Sequence, residues 1–292
     1  MIHEDKAQFT DVINMTANRA GFRVSLIEKD YYLTIILSKL NELSDDLIFK
    51  GGTCLNKIYY SYYRLSEDLD FSMRLPEYTT TRGNRRKSIQ SIKDKIEKFA
   101  KRLGFRIEGA EKAGRNESKQ YVYYFAYKSV FQPSEQLIKF EIGLRFNPIR
   151  AVEKKTVQHK FLHPFTKEPL FDGGKVNCLS LKEIVSEKLR AAALRDVIAP
   201  RDFYDLDFII RHDFNLADKE VADLFKKKIE EDGGDLDLRK YHVNLGRSEV
   251  EIGDMRSRIE KELFNVLTAN ERGNFNLDKA LERINKAMAG VK

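Results

Sequence analysis

Asp68 and Asp70, in the run Leu65-Ser-Glu-Asp-Leu-Asp-Phe71, are the residues of this 292-residue chain best suited to chemistry. They stand two apart, so on a strand both carboxylates leave one face while Leu69 and Phe71 leave the other. Fifteen residues before Asp68, the chain carries Gly51-Gly52-Thr53 directly after a short apolar run, Leu47 to Phe49, and Lys50. Paired glycines let the backbone curl so that its N–H groups point outward at the start of a helix, where a phosphate is welcome. Two carboxylates beside a phosphate cradle are what a magnesium–triphosphate complex requires. The pattern therefore implies a nucleotide site, with Gly51, Gly52 and Thr53 on the phosphates and Asp68 and Asp70 on the metal.

Sites of this kind commonly draw a third carboxylate from a neighbouring strand. Glu141, in Ile138-Lys-Phe-Glu-Ile-Gly-Leu144, interrupts a strand-like segment and is the candidate. Three carboxylates can hold two Mg²⁺ ions, one for the attacking hydroxyl and one for the departing pyrophosphate. An exposed glutamate on an edge strand is the other reading. Ser66, two before Asp68, either bonds the triphosphate or a ligand carboxylate, or caps the turn. Arg64 pairs with a phosphate or with a carboxylate of the core. Farther on, Ser180 to Arg195 has the periodicity of a helix, with Ser180 and Glu183 as a capping box and Leu181, Ile184, Val185, Leu189 and Ala192 on one face. Lys188 and Arg195 fall on that apolar side, where a cation is costly unless an anion meets it. A triphosphate is one such anion; snorkelling at the edge of the stripe is the alternative. Pro200 then suits the first turn of a helix carrying Asp202 and Asp205, three apart and on one face. None of His3, His159, His163, His212 and His242 sits in a triad or metal-ligand spacing.

The elements that must position these residues are readable in outline. The first 45 residues read as helical, with Ser25 as N-cap and Glu28 completing a capping box. Leu55, Ile58, Tyr59 and Tyr62 predict a helix between the glycines and the aspartates. Ile89, Ile92, Ile96, Phe99 and Leu103 predict a helix over 82–102 that ends at Gly104. Alternation predicts strands over 120–130 and 137–146 as an antiparallel pair, joined to an earlier strand at 105–108 by a loop over 109–119. A further strand is expected near 156–162, and Phe171-Asp-Gly-Gly174 marks a domain boundary. From Ser180 to about Ala289 the pattern is helical.

Composition is that of an ordinary globular chain, 42% hydrophobic and 33% charged. No apolar run is long enough for a membrane span, no signal peptide is evident, and Cys54 and Cys178 read as reduced thiols, so a cytoplasmic protein is expected. Between Arg82 and Arg102 nine basic residues face two acidic ones, and this net +7 equals the excess of the whole chain. Any pull on a polyanion should centre there.

The ordered pattern Phe49-Lys-Gly-Gly-Thr-x-Leu55, Arg64-x-Ser66-x-Asp68-x-Asp70-Phe71, together with Ile27-Glu-Lys-Asp-Tyr-Tyr32, resembles the AbiEii/AbiGii family of the polymerase-β-type nucleotidyltransferases. These are the toxin halves of type IV, abortive-infection toxin–antitoxin pairs. The resemblance implies an α/β fold: a polymerase-β-like nucleotidyltransferase domain with a mixed sheet and N-terminal helices (1–172), then a helical C-terminal domain (173–292). It implies transfer of a nucleoside monophosphate from an NTP, with Mg²⁺, to an acceptor such as tRNA, and a cognate antitoxin as partner. A lysine on the 180–195 helix is one of the family's functional motifs, which favours Lys188, and a functional aspartate is expected at Asp202 or Asp205. With an RNA acceptor, Arg85, Arg86, Lys87 and Lys93 become candidate RNA contacts. Two rival functions keep the same residues: NMPylation of a protein hydroxyl, and a non-catalytic regulatory or interaction protein on the same fold.

Overall fold

A mixed eight-stranded sheet organises the first part of the chain, and its pairing sets the face on which the carboxylates stand. The computed structural model describes residues 1–76, 81–234, 237–241, 245 and 247–290. His242 lies outside them. Two compact units are present, Met1–Leu179 and Ser180–Lys292. In the first, helices α1 (Lys6–Ala20), α2 (Val24–Ser38) and α3 (Leu40–Leu43) precede strand β1 (Leu47–Lys50). Helix α4 (Gly51–Cys54) runs into a π-wound turn, Leu55–Tyr59, where the Tyr60 N–H reaches the Leu55 carbonyl at 2.8 Å. Then come β2 (Leu69–Met73), helices α5 (Arg82–Ser88) and α6 (Gln90–Arg102), and strands β3 (Arg106–Glu108), β4 (Gly114–Arg115), β5 (Gln120–Lys128), β6 (Glu135–Gly143), β7 (Glu153–Thr156) and β8 (Lys175–Cys178).

The strand order is β3-β5-β6-β2-β1-β8-β7, with β4 on β5. β2 runs antiparallel to β1 but parallel to β6, and β8 is parallel to β1. Phe49, Phe71, Phe140 and Phe125 form a ladder across β1, β2, β6 and β5, with ring centroids 4.7–5.4 Å apart, all buried. Burying such rings supplies roughly 1.5–3 kcal/mol per side chain. Because side chains alternate, the ladder commits Lys50, Asp70 and Glu141 to the opposite face.

Several local expectations are corrected. Helix α2 starts at Val24 after Arg23, so Ser25 is not its N-cap. Glu28 instead reaches across the fold, accepting from Ser129 Oγ and from the Val130 N–H at 2.7 Å. The helix after the glycines stops at Tyr59, because Asn56 Oδ1 takes the Tyr62 N–H (2.8 Å) and Tyr62 enters the left-handed region at φ 60°. The 82–102 segment breaks at Ile89 into α5 and α6. The third late strand is Glu153–Thr156, upstream of 156–162, and the 109–119 link contains β4. Residues 173–179, grouped by sequence with the C-terminal part, include β8, which pairs with β1 inside the sheet unit.

The second unit is helical among its described residues: α7 (Leu181–Leu194), α8 (Pro200–Arg211), α9 (Lys219–Glu231), α10 (Glu249–Glu262), α11 (Ala269–Asn274) and α12 (Leu277–Met288). Ser180 Oγ accepts the Glu183 N–H, as the sequence predicts, and Pro200 opens α8. The Glu183 carboxylate pairs with Lys228 of α9 at 2.8 Å. Among the described residues no helix is long and apolar enough to cross a membrane, and both cysteines are free and buried.

Candidate active site

In the first unit the site is one row across three strands. Register places Lys50, Asp70 and Glu141 side by side on β1, β2 and β6. Asp70 is pushed up to about 6, first by burial, then by the negative charges of Glu141 and Asp68, with Lys50 and Lys139 pulling the other way. Asp68 precedes the strand, and its carbonyl accepts the Thr53 hydroxyl. Thr53 is 1% exposed, and its side chain clips the glycine turn to the aspartate segment. Glu141 is turned toward Lys139 and accepts from Gln120 Nε2. Among the described residues no three His, Cys, Asp or Glu side chains converge as a closed metal cage. The donor set nonetheless fits a divalent cation: carboxylates crowded enough to raise a neighbour's pKa are the ones whose repulsion a cation relieves. Asp68 and Asp70 would hold it, with Glu141 joining once released from Lys139.

The two glycines are there for closeness. Gly51 has φ +76°, and a Cβ on it would lie 2.7 Å from Asp70 Oδ2. A Cβ on Gly52 would lie 2.5 Å from Arg64 Nη2 and 3.3 Å from Ser66 Oγ. The turn thus packs bare backbone against Asp70 on one side and against Arg64 and Ser66 on the other. Arg64 is 2% exposed, donates to the Leu65 carbonyl at 2.9 Å and lies over the Tyr63 ring.

In the second unit, Lys188 of α7 sits 2.7 Å from Asp202 Oδ1 and 2.8 Å from Asp205 Oδ2 of α8. Arg195 holds the other Asp202 oxygen at 2.8 Å. Both aspartates are buried and Lys188 is nearly so, whereas half of the Arg195 side chain is exposed. The anion that the inward lysine requires is therefore supplied within the unit, by both candidate aspartates together. Such a cluster fixes the lysine's direction, and Arg195 is the cation with surface to offer.

Three residues of the site carry no signal that the sequence reading used. Lys139 shares its strand face with Glu141; burial opposes its charge, but Glu141, Asp70 and Asp68 together raise its pKa. Period-2 alternation from Glu141 could have found it. Lys50 becomes a neighbour of Asp70 only through the β1–β2 register, and Gln120 reaches Glu141 only through β5–β6 pairing. A fourth group lies behind the glycine turn: Lys57 Nζ contacts Asp30 at 2.7 Å and Thr34 Oγ1 at 2.9 Å, and Tyr62 donates to the same carboxylate, all buried.

The family model for the nucleotidyl transferase AbiEii toxin of type IV toxin–antitoxin systems matches residues 35–288, a span that contains the glycine turn, Asp68, Asp70, Glu141 and the Lys188–Asp202–Asp205 cluster. The chain belongs to the AbiEii family. It is a nucleotidyltransferase toxin of the type IV class, and the fold agrees. The nucleotidyltransferase toxin MenT4 (Rv2826c) from Mycobacterium tuberculosis H37Rv superposes with a TM-score of 0.59 at 19% identity, covering 96% of this chain and 99% of that one. JHP933 from Helicobacter pylori gives 0.52 at 16% identity, covering 92% and 93%. At these identities the likeness is one of fold. No curated protein matches the chain.

Proposed function

We propose that this AbiEii toxin transfers a nucleoside monophosphate from an NTP to the 3′ end of tRNA, blocking translation as part of an abortive-infection system held in check by its antitoxin. The observation that carries the reading is Asp70, packed against Gly51 and raised in pKa by burial and the charges of Glu141 and Asp68. In the reaction an acceptor hydroxyl oxygen forms a bond to the α-phosphorus, the bond to pyrophosphate breaks, and the hydroxyl proton leaves. Asp68 and Asp70 would hold Mg²⁺, which would supply charge neutralisation of the triphosphate and acidification of that hydroxyl. The chain's own groups do the rest. Gly51, Gly52 and the Thr53 backbone receive phosphate oxygens, and Ser66, held against Gly52, adds a hydroxyl. Within the second unit, Asp202 and Asp205 hold Lys188 in place, and Arg195 keeps half of its side chain exposed as that unit's candidate phosphate contact. The tRNA acceptor rests on the family and on the positive charge concentrated in 82–102.

The test is incubation of the purified protein with each α-³²P-NTP, Mg²⁺ and total tRNA, beside the Asp68→Ala, Asp70→Ala double variant. Label on tRNA from one NTP, absent in the variant, is expected. Label on a protein in lysate but on no RNA would replace the acceptor, and label nowhere would overturn the reading.

A further inference from the structure

Helix α6 buries Ile92, Ile96, Phe99 and Ala100 and turns its cations outward. Lys95, Lys98, Lys101 and Arg102, with Phe99 below and Glu42 of α3 opposite, line an open groove of about 490 Å³. Lys95, Lys98 and Arg102 recur at three and four residues, so they rise along one side. Glu42 pairs with Arg102. Among the described residues Lys95, Lys98 and Lys101 have no carboxylate within ion-pair reach, and Asp94 accepts from Gln90 at 2.7 Å. Four cations thus share one carboxylate, and like charges a turn apart on a helix repel. Among the described residues Glu42 alone forms an ion pair with these four cations, so the groove presents positive charge to an anion from outside.

We propose that this groove seats the phosphate backbone of the RNA partner, a proposal that rests on the reading of RNA as acceptor. From Lys95 to Arg102 the helix rises roughly 10 Å at about 1.5 Å per residue. That is the span of about three phosphates at ~3.4 Å per nucleotide of a strand. A wall of lysine ammoniums around a buried phenylalanine offers point charges without a set of donors and acceptors for base edges, so the contact positions the RNA without reading its sequence. An acidic protein segment fits less well, because lysine is depleted from protein–protein interfaces and the groove exposes no aromatic anchor. The seat differs from the one the sequence suggested. Arg85 is buried, its Nη2 donating to the Glu117 carbonyl at 3.0 Å, so it braces α5 against the 116–118 turn that follows β4. Arg86 and Lys87 on α5 and Lys93 in the first turn of α6 remain exposed.

The experiment measures binding of the full chain to labelled total tRNA and to a 20-base-pair RNA duplex, at 50 and 200 mM salt. The variants are Lys95→Glu/Lys98→Glu/Lys101→Glu, the matching triple glutamine, and Lys154→Glu/Lys155→Glu on β7 as a control for added negative charge. The glutamate triple should lose at least ~30-fold in RNA affinity at 50 mM, and the glutamine triple should lower the log–log salt slope by about 2. NTP binding and melting temperature should not move, because all three lysines are exposed. RNA affinity and slope within ~2-fold of wild type, an equal loss in the β7 control, or a wild type that binds neither RNA, each overturns the groove. Loss of antitoxin binding with RNA binding intact would do the same and assign the surface to a protein. A wild type that binds RNA through these lysines yet labels none would leave the groove standing and sink the tRNA acceptor.

Discussion

Asp70 is the residue on which the chemistry and the stability of this protein pull in opposite directions. The cation proposed at this site needs Asp70 in its ionised form, and burial together with Glu141 and Asp68 pushes that ionisation up to about 6. Transfer activity should therefore rise with pH through about 6. Raising Mg²⁺ should move that limb to lower pH, since the cation competes with the proton. Rate profiles from pH 5 to 8 at two Mg²⁺ concentrations test this; a profile that ignores Mg²⁺ would count against it. In metal-free protein the sign for stability is the reverse of the usual carboxylate case. Between about 4 and about 6 the folded chain keeps a proton that the unfolded chain, with a pKa near ~3.9, has released. The stabilisation is full below ~4 and is lost as pH rises through about 6. Asp70→Asn should then melt higher than wild type above pH 6, by on the order of 1–2 kcal/mol, with the difference closing below ~4. Asp68 and Asp70 were legible from their spacing and flanking apolar residues. Lys50, Lys139 and Gln120 were not used, because two of the three become neighbours only when strands far apart in sequence pair.

At the scale of elements, the short turn that carries the glycines is held from behind by α2. Asp30 and Lys57 form a buried pair, 1% and 0% exposed, with Thr34 accepting from Lys57 and Tyr62 donating to Asp30. Burial pulls the Lys57 pKa down and Asp30 pulls it back. Removing either partner leaves an uncompensated buried charge, so Asp30→Leu or Lys57→Met should cost about 3–5 kcal/mol, whereas the double variant should recover most of that loss. Urea unfolding of the three variants decides the matter, and simple additivity would show that the two side chains do not act as a pair. Asp30 was visible in the sequence only as part of the Ile27–Tyr32 motif. Its partner was hidden because the helical periodicity of Leu55, Ile58, Tyr59 and Tyr62 implied a longer helix than Asn56 and Tyr62 allow. Periodicity reports which face is buried and says little about a side chain that captures a backbone N–H. The same limit explains Glu28, whose spacing from Ser25 imitates a capping box while its carboxylate serves Ser129 and Val130.

On the scale of the whole molecule, the α/β-then-helical order was legible because the aromatic strands and the helical stripes each repeat over many residues. β8 was not, since Lys175-Val-Asn-Cys178 is four residues long and earns its place only by pairing with β1 and β7. A toxin of this class also meets a judgement that few enzymes face, because a cell making it without its antitoxin survives only by breaking it. The glycine turn predicts where such survivors carry their mutations. Every single-base change that replaces Gly52 adds a side chain where Arg64 Nη2 already stands, and every replacement of Gly51 crowds Asp70 from a left-handed backbone. Gly253 and Gly273, with nothing within 4 Å of an added Cβ, are the internal comparison. Sequencing full-length escape alleles should find missense changes crowded at codons 51 and 52 and sparse at 253 and 273; an even spread over the four would mean that the close packing of that turn is dispensable for killing.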